Sequence, residues 1–422
     1  MDYLANLTKF GVNFGLSRIE ELLSRLGNPH QFLKVAHIGG TNGKGSTTAM
    51  LANILQSAGY KVGTFTSPHL HSYCERFRIN GEEIGGSRIA GLIADLQPHL
   101  EAMVSEGFEH PTEFEVSTAL AFQYFYQENV DFLVLEVGMG GAVDSTNVIA
   151  PVLAVITNVS IDHTDYLGKS VREIAEVKSG IIKPGVPTVT AAAGKALAVI
   201  TKTCRERGSP LTLVGRDITW KHQSSSLDGQ RFSVQSRRYA YDNLWLPLIG
   251  RHQQINAVSA IAAAELLIDR GLPIDIGNVR EGLAATRWPA RLEILRREPF
   301  VLIDGAHNYE CARSLRQALD DYFPGRKVIL VIGMLADKER AKVVSELAPA
   351  ARAVIVTKPD SPRAGNWREL AVEARRHAPE VYLAEEIEAA LNKALSIAGP
   401  DELVCVTGSL YMVAEARELL LQ

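Results

Sequence analysis

Cysteine is scarce, and Cys74, Cys204, Cys311 and Cys405 lie far apart with no paired spacing, which excludes a zinc ribbon or a disulfide framework. Neither sign of charge prevails: 44 Lys and Arg against 48 Asp and Glu leave a net charge of -4, no footprint for nucleic acid or an anionic membrane. No apolar run reaches the roughly 18 residues that a membrane span needs. The opening "MDYLANLTKFGVNFG" has no basic stretch followed by a long apolar core, so no signal peptide is read and a cytoplasmic location is expected. Internal repeats and low-complexity tracts are absent as well. What remains is a chain of 422 residues, 46% hydrophobic and 22% charged, too long for one core and ordinary in composition. Two or three domains are expected.

Apolar, β-branched runs bounded by glycine or proline alternate with helical spacing, which predicts an α/β fold with largely parallel sheets. Strands are expected at "LKVAHIGG", "KVGTFTSP", "DFLVLEVG", "PVLAVITNV" and "VPTVTA". Helices are expected near Lys44–Ser57, Glu115–Gln127 and Val171–Lys178. From Leu211 to Leu248 the texture turns polar and strand-like, reading as a small antiparallel region. Helical stretches follow around Asn256–Arg270 and Ile276–Ala285. A fresh β/α alternation then runs through "FVLIDGAH", "KVILVIGML", "RAVIVTKP", "VYLAE" and "ELVCVTGS". These patterns predict an α/β domain over 1–292, which the glycine-rich loop described next marks as P-loop-like, a linker over 293–300 and a Rossmann-like domain over 301–422.

The stretch "VAHIGGTNGKGSTTAM" carries the chemistry. Gly39, Gly40, Gly43 and Gly45 permit backbone conformations closed to other residues, so N–H groups can converge on phosphate oxygens at the start of a helix. Lys44 would supply a cation to the β and γ phosphates, and Ser46 or Thr47 a hydroxyl near a metal. The pattern departs from G-x-x-x-x-G-K-[ST]: Ile38 stands at the first glycine, and Gly45 separates the lysine from the serine. A glycine-rich turn without a ligand is the bland alternative; the strand before and the helix after argue against it.

Ligands of open α/β sheets collect at the carboxyl ends of strands. Ser67, Glu136, Asp162 and His163 all follow apolar strands. Taken singly each has an ordinary explanation, since a strand-end glutamate caps helices and a lone histidine is more often structural than a ligand. Together, beside a phosphate loop, they favour a metal site in which Glu136 holds magnesium directly or through water.

At this point the sequence resembles the folylpolyglutamate synthase/dihydrofolate synthase family, relatives of the Mur ligases. The ordered blocks are "FGLSRIEELLSRLGNPHQFLKVAHIGGTNGKGS", "GTFTSPHL", "LEVGMGGAVDSTNVI", "SIDHTDYLG", "EVKSGIIKPG", "GRHQQINAVSA", "RWPARLE", "DGAHN", "GMLADKE" and "TGSLY", covering nearly the whole chain. The resemblance implies that Thr41, Asn42, Gly43, Lys44, Gly45, Ser46 and Thr47 hold the ATP phosphates. It implies two magnesium ions on Ser67, Glu136 and His163, with Lys178 matching a lysine that carries a carbamate in relatives. By the same resemblance Lys44, His163 and Lys178 serve catalysis. Asn256 and Arg291 match nucleotide contacts, while Asp304 and His307 are expected near the adenosine or an inter-domain cleft. Phe114–Glu115 and the loop "SPHLHSYCERFRING" resemble parts that face folate and a monovalent cation such as potassium. Three positions depart from the pattern: Ala142 replaces an arginine or polar residue, Ala290 a glycine and Tyr309 a proline.

The implied reaction is ATP-dependent addition of L-glutamate to the γ-carboxylate of a reduced folate through an acyl phosphate, with addition to dihydropteroate, giving dihydrofolate, as its companion. Magnesium and Lys44 would neutralise the oxyanions during phosphoryl transfer. Closure of the second domain would shield the acyl phosphate from water. A monomer satisfies everything read here. Three rivals remain. A Mur-type enzyme acting on a UDP-linked sugar peptide would need a further domain before the loop, where about 38 residues stand. An ATP-dependent switch without ligase activity would hydrolyse ATP slowly and ignore glutamate. A non-catalytic small-ligand binder would have no use for the lysine and the metal set.

Overall fold

The computed structural model describes residues 3–4, 7, 11 and 13–422, so the opening segment read for a leader lies largely outside the described residues. The chain forms two compact units: one comprises Met1–His222, Phe232–Leu244 and Ile255–Thr286, the other Gln223–Arg231, Trp245–Gln254 and Arg287–Gln422.

The first unit is built on β1 (Val35–Gly39), β2 (Val62–Phe65), β3 (Phe77–Ile79), β4 (Glu82–Glu83), β5 (Phe132–Glu136), β6 (Leu153–Ile156), β7 (Thr188–Thr190) and β8 (Leu211–Leu213). They form one sheet in the order β4-β3-β2-β5-β1-β6-β7-β8. Pairing is parallel from β2 to β8 and antiparallel only at the β3 and β4 edge. Every residue of β1 and β5 is buried, as expected of central strands covered on both faces. The connection order reverses around β1, with β2 and β5 on one side and β6 to β8 on the other. The carboxyl ends of β5, β1 and β6 therefore define the crevice where such sheets take ligands.

The helices Lys44–Ser57, Val171–Lys178 and Ile276–Ala285 stand where spacing places them. A 20-residue helix, Gly86–Ser105, was not among the expected elements, and Pro98 lies inside it. Its apolar residues Ile89, Leu92, Ile93, Leu96, Leu100 and Met103 nevertheless keep helical spacing and are buried. Each such side chain contributes roughly 1.5–3 kcal/mol, enough to outweigh one lost backbone hydrogen bond. The region 211–248 divides. β8 joins the large sheet, while β9 (Ile218–Ser226), β10 (Gly229–Ser236) and β11 (Ala240–Leu246) form a three-stranded sheet of their own. Connections as short as 227–228 and 237–239 permit only antiparallel neighbours.

The second unit holds β12 (Glu293–Arg297), β13 (Phe300–Asp304), β14 (Val328–Ile332), β15 (Ala351–Val356), β16 (Glu380–Leu383) and β17 (Leu403–Thr407), ordered β12-β13-β17-β14-β15-β16. All pairs are parallel except β12 with β13. The segment expected as a linker is thus largely an edge strand: Glu293 pairs with Ile303 and Arg297 with Phe300. Its charged residues Arg296 and Arg297 disguise it, and half-buried Ile294 is the residue that packs on the core. The core of this unit gathers Leu302, Leu330, Ile332, Val354, Val356 and Cys405 beneath the helices.

Candidate active site

The phosphate loop leaves β1 at Gly39 and is buttressed by the segment that follows β6. Thr41 N donates to Asn158 O at 2.9 Å, Asn42 N to Asn158 Oδ1 at 2.9 Å, and Thr157 Oγ1 to Asn42 O at 2.7 Å. Gly40 and Gly43 have φ of 137° and 84°, a region that disfavours side chains. A Cβ at Gly40 would collide with Thr157 Oγ1, and one at Gly43 with the Asn256 carboxamide. Asn256 is thus brought to the loop by the fold. Gly43 opens the helix that carries Lys44 and Gly45, with Ser46 and Thr47 buried in its first turn. Gly43→Ala is expected to cost about 1–3 kcal/mol of stability and to weaken nucleotide binding at least tenfold on the order-of-magnitude scale of such strain. Urea denaturation and calorimetric titration with a non-hydrolysable ATP analogue would measure both.

Lys44 Nζ lies 3.3 Å from Thr41 O and 3.9 Å from Glu136 Oε1. The Glu136 carboxylate, buried at the end of β5, accepts the Ser67 N–H at 3.3 Å through its other oxygen. One carboxylate thus reaches both the loop cation and the backbone of the Ser67 turn.

Lys178 ends a helix whose start is fixed by Ser170 and Glu173, each bonding the other's backbone N–H. Its ammonium nitrogen donates to Gly40 O at 2.9 Å from a site that is 5% exposed. Burial pushes its pKa down to about 7, helped by Lys44 and opposed by Asp162 and Asp144. His163 has a left-handed backbone, φ 50°, and its Nε2 stands 3.9 Å from Asp162 Oδ1. Asp162 also accepts the His163 N–H at 2.9 Å. Among the described residues no group of three or more His, Cys, Asp or Glu forms a ready metal cage. Glu136 and Ser67 offer the oxygen donors that suit a magnesium ion keeping waters and phosphate oxygens. An ammonium on Lys178 does not fit beside such an ion, whereas a carbamate would.

Glu115 is not a substrate-facing group. It is 1% exposed, and its Oε2 accepts from Thr112 N at 2.8 Å, Thr112 Oγ1 at 2.9 Å and Arg18 Nε at 3.2 Å, tying down the start of the helix Glu113–Gln127. Its neighbour Phe114 packs on Gly138, two residues beyond Glu136, where a Cβ would collide with the ring. Arg18 is itself buried and also reaches Asn13 O at 2.7 Å. Arg18→Ala would strand the Glu115 charge in the interior and is expected to destabilise the fold by about 3 kcal/mol, read from the midpoint of chemical denaturation.

In the second unit, Arg291 Nη1 donates to Ala290 O at 2.9 Å. Asp304 accepts from Leu292 N and Ala306 N, both at 2.9 Å, and burial raises its pKa against the pull of Arg291. His307 Nδ1 lies 3.0 Å from Gly305 O. A Cβ at Gly305 would lie 2.7 Å from Arg291 Nη1, so Arg291, Asp304 and His307 form one cluster at the end of β13. Ala290 and Leu292 carry φ of 57° and 47° around Arg291, which accounts for a glycine being suited to position 290.

Thr157 and Asn158 were not singled out as binding groups from the sequence. Their only local signal is position, at the end of the apolar run "PVLAVITNVSIDH". Asp144 and Thr146 are likewise buried in the turn after Glu136 with no local mark of their role.

No described helix is long and apolar enough to cross a membrane. Residues 38–264 match the model of the Mur ligase middle domain, and residues 290–410 that of the Mur ligase glutamate ligase domain. A Bacillus subtilis dihydrofolate synthase/folylpolyglutamate synthase is 37% identical over 98% of this chain and 96% of its own. A solved Mycobacterium tuberculosis folylpolyglutamate synthase complexed with ADP superposes with a TM-score of 0.94 at 34% identity, covering 100% of this chain and 98% of that one. An Escherichia coli relative solved in complex with DHPP and ADP gives a TM-score of 0.90 at 29% identity over 99% of this chain and 97% of its own.

Proposed function

The chain belongs to the folylpolyglutamate/dihydrofolate synthase family of Mur ligases, and from that premise we propose that its first unit activates a folate carboxylate with ATP for capture by L-glutamate. It is an ATP-dependent ligase. An ATP-dependent switch without ligase activity, the alternative reading of the sequence, is not supported by these relatives.

The observation that carries the mechanism is the convergence of Lys44, Glu136 and the glycine loop at the switch point of the large sheet, with Lys44 Nζ 3.9 Å from Glu136 Oε1. In the proposed step the loop N–H groups and Lys44 cradle the triphosphate, and Asn256 braces Gly43. The substrate carboxylate attacks the γ-phosphorus, the bond to the β-bridging oxygen breaks, and ADP leaves an acyl phosphate. The unprotonated amine of L-glutamate then attacks the acyl carbon, and inorganic phosphate departs. Magnesium, when bound, would neutralise phosphate charge, with Ser67, Glu136, His163 and a carbamylated Lys178 as its protein ligands. Thr41 and Asn42 hold the loop, and Ser46 and Thr47 stand in the first helical turn behind it. Arg291, Asp304 and His307, within the segment matched by the glutamate ligase domain, are assigned to nucleotide binding as the family resemblance implies. The proposal includes a monovalent cation such as potassium near the Ser67 loop, a monomeric enzyme and a cytoplasmic location.

The test is incubation of the purified protein with ATP, magnesium, tetrahydrofolate and labelled L-glutamate, and separately with dihydropteroate. Label is expected in a glutamylated folate with one ADP formed per amide bond. Lack of labelled product with every pterin acceptor would refute the reading.

A further inference from the structure

His37 is a buried, titratable side chain to which the mechanism above assigns nothing. It sits on β1 two residues before Gly39, paired in register with Leu135 of β5 and Ala154 of β6, and is fully buried. Its Nε2 lies 2.9 Å from Thr146 Oγ1, and its Nδ1 has no hydrogen-bond partner. Thr146 Oγ1 in turn lies 2.5 Å from Asp144 Oδ1. Asp144 also accepts from Thr146 N at 3.0 Å and Met139 N at 2.7 Å, with the Gly138 backbone contributing further. Burial raises the pKa of Asp144 while these hydrogen bonds lower it; in its carboxylate form, accepting on both oxygens, it takes the hydroxyl proton of Thr146. That hydroxyl has one proton to give, so it must accept from His37. The ring is then the Nε2–H tautomer, with a bare Nδ1 facing the core.

The far end of this chain is the turn immediately after Glu136. On its other side the turn is pressed against the Lys178 segment: Ala142 N donates to Val177 O at 2.9 Å, and a Cβ at Gly141 would lie 2.9 Å from Lys178 O. A Cβ at Gly180 would collide with Ala142. One unbroken hydrogen-bond path therefore links the strand that becomes the phosphate loop to the turn that follows Glu136 and packs on the Lys178 segment. Stability alone does not explain a histidine here, because a buried ring with an unmet nitrogen packs no better than an apolar side chain of its size.

We propose that His37 is a positioning residue: as an Nε2–H donor it acts through Thr146 and Asp144 to hold the turn after Glu136 in register with the phosphate loop. The step it serves is the phosphoryl transfer of the proposed function, on which this inference rests.

The variants separate positioning from packing. In His37→Gln the carboxamide nitrogen reaches the place of Nε2; in His37→Asn it reaches only that of Nδ1. His37→Leu fills the space without a donor, and Thr146→Val removes the relay while Thr146→Ser keeps it. The readouts are the rate of ADP release at saturating ATP, magnesium, tetrahydrofolate and glutamate, the KM for ATP, and the melting temperature. His37→Asn, His37→Leu and Thr146→Val are each expected to lower kcat about tenfold, with KM for ATP within about twofold and little change in melting temperature. His37→Gln and Thr146→Ser should stay within about threefold of the parent, and His37→Leu/Thr146→Val should be no slower than either single variant. Full kcat in His37→Leu, additive losses in the double variant, or losses that track melting temperature in all variants alike would overturn the proposal. Should the His37 variants fail to fold, the Thr146 pair decides it. Nitrogen-15 NMR of the parent ring must also show Nε2 protonated; an Nδ1–H tautomer would overturn it without reference to activity. If the parent releases ADP but glutamylates nothing, the ligase reading fails, and the order of the variants in ADP release still judges the role of His37.

Discussion

Lys44→Ala is expected to lower ligation turnover on the order of a thousandfold while the circular dichroism spectrum stays that of the parent. The lysine begins the helix Lys44–Ser57 and its side chain lies outside the apolar core, so its removal takes charge from the loop without opening a cavity. A preorganised donor aimed at charge that develops in the transition state contributes about 3–4 kcal/mol, or 10²–10³ in rate. Two further consequences enlarge the effect. Glu136 loses the cation 3.9 Å away, leaving a buried carboxylate whose charge is no longer offset. Lys178 loses the neighbour that, after burial, does most to keep it neutral. Lys44→Arg should not restore the rate, because a planar fork does not reproduce a point charge in a glycine cradle. Single-turnover formation of ADP, measured beside the spectrum, checks this; an active Lys44→Ala enzyme would remove the loop from the mechanism.

The second large effect concerns Lys178. Lys178→Met is expected to reduce turnover by about 10²–10³, since it deletes both the amine and any carbamate formed on it. The same variant tests the electrostatics independently of activity. In the folded protein the amine gives up its proton near pH 7, against 10.5 for the ordinary side chain. Between those limits the unfolded chain binds more protons, so stability contributed by this group rises with pH through that window and is lost as pH falls toward 7. Over the whole window the effect amounts to a few kcal/mol. In buffer free of carbon dioxide, the urea midpoint of the parent should climb relative to Lys178→Met between pH 7 and 10. With bicarbonate present a carbamate removes the titrating amine, so the difference should shrink and the intact mass should rise by one carbon dioxide. A parent whose stability runs parallel to that of Lys178→Met in both buffers would contradict a buried neutral amine.

Much of the first unit was legible because its signals are local. The five buried residues of β1, the glycines after them and the spacing of Lys44–Ser57 all lie within one short stretch, and the helix falls where that spacing places it. The second α/β unit was legible for the same reason, each strand from β13 to β17 being an apolar run with a helix behind it. The misreadings came from residues whose local appearance is contradicted by distant partners. Glu293–Arg297 looks like a charged linker until β13 lies beside it. Glu115 resembles a ligand-facing acid until Arg18 is found on it, 97 positions away in sequence.

By itself, then, the sequence determined the two α/β units, the phosphate loop with its lysine, and the strand-end placement of Ser67 and Glu136. Only the tertiary structure decided that Asn256 braces Gly43, that Lys178 is buried on Gly40 O, and that His37 bonds Thr146 across 109 positions of chain. The reason is physical: propensity and glycine conformation act over a few residues, whereas desolvation and hydrogen-bond partnership are settled by whichever segments the sheet brings side by side.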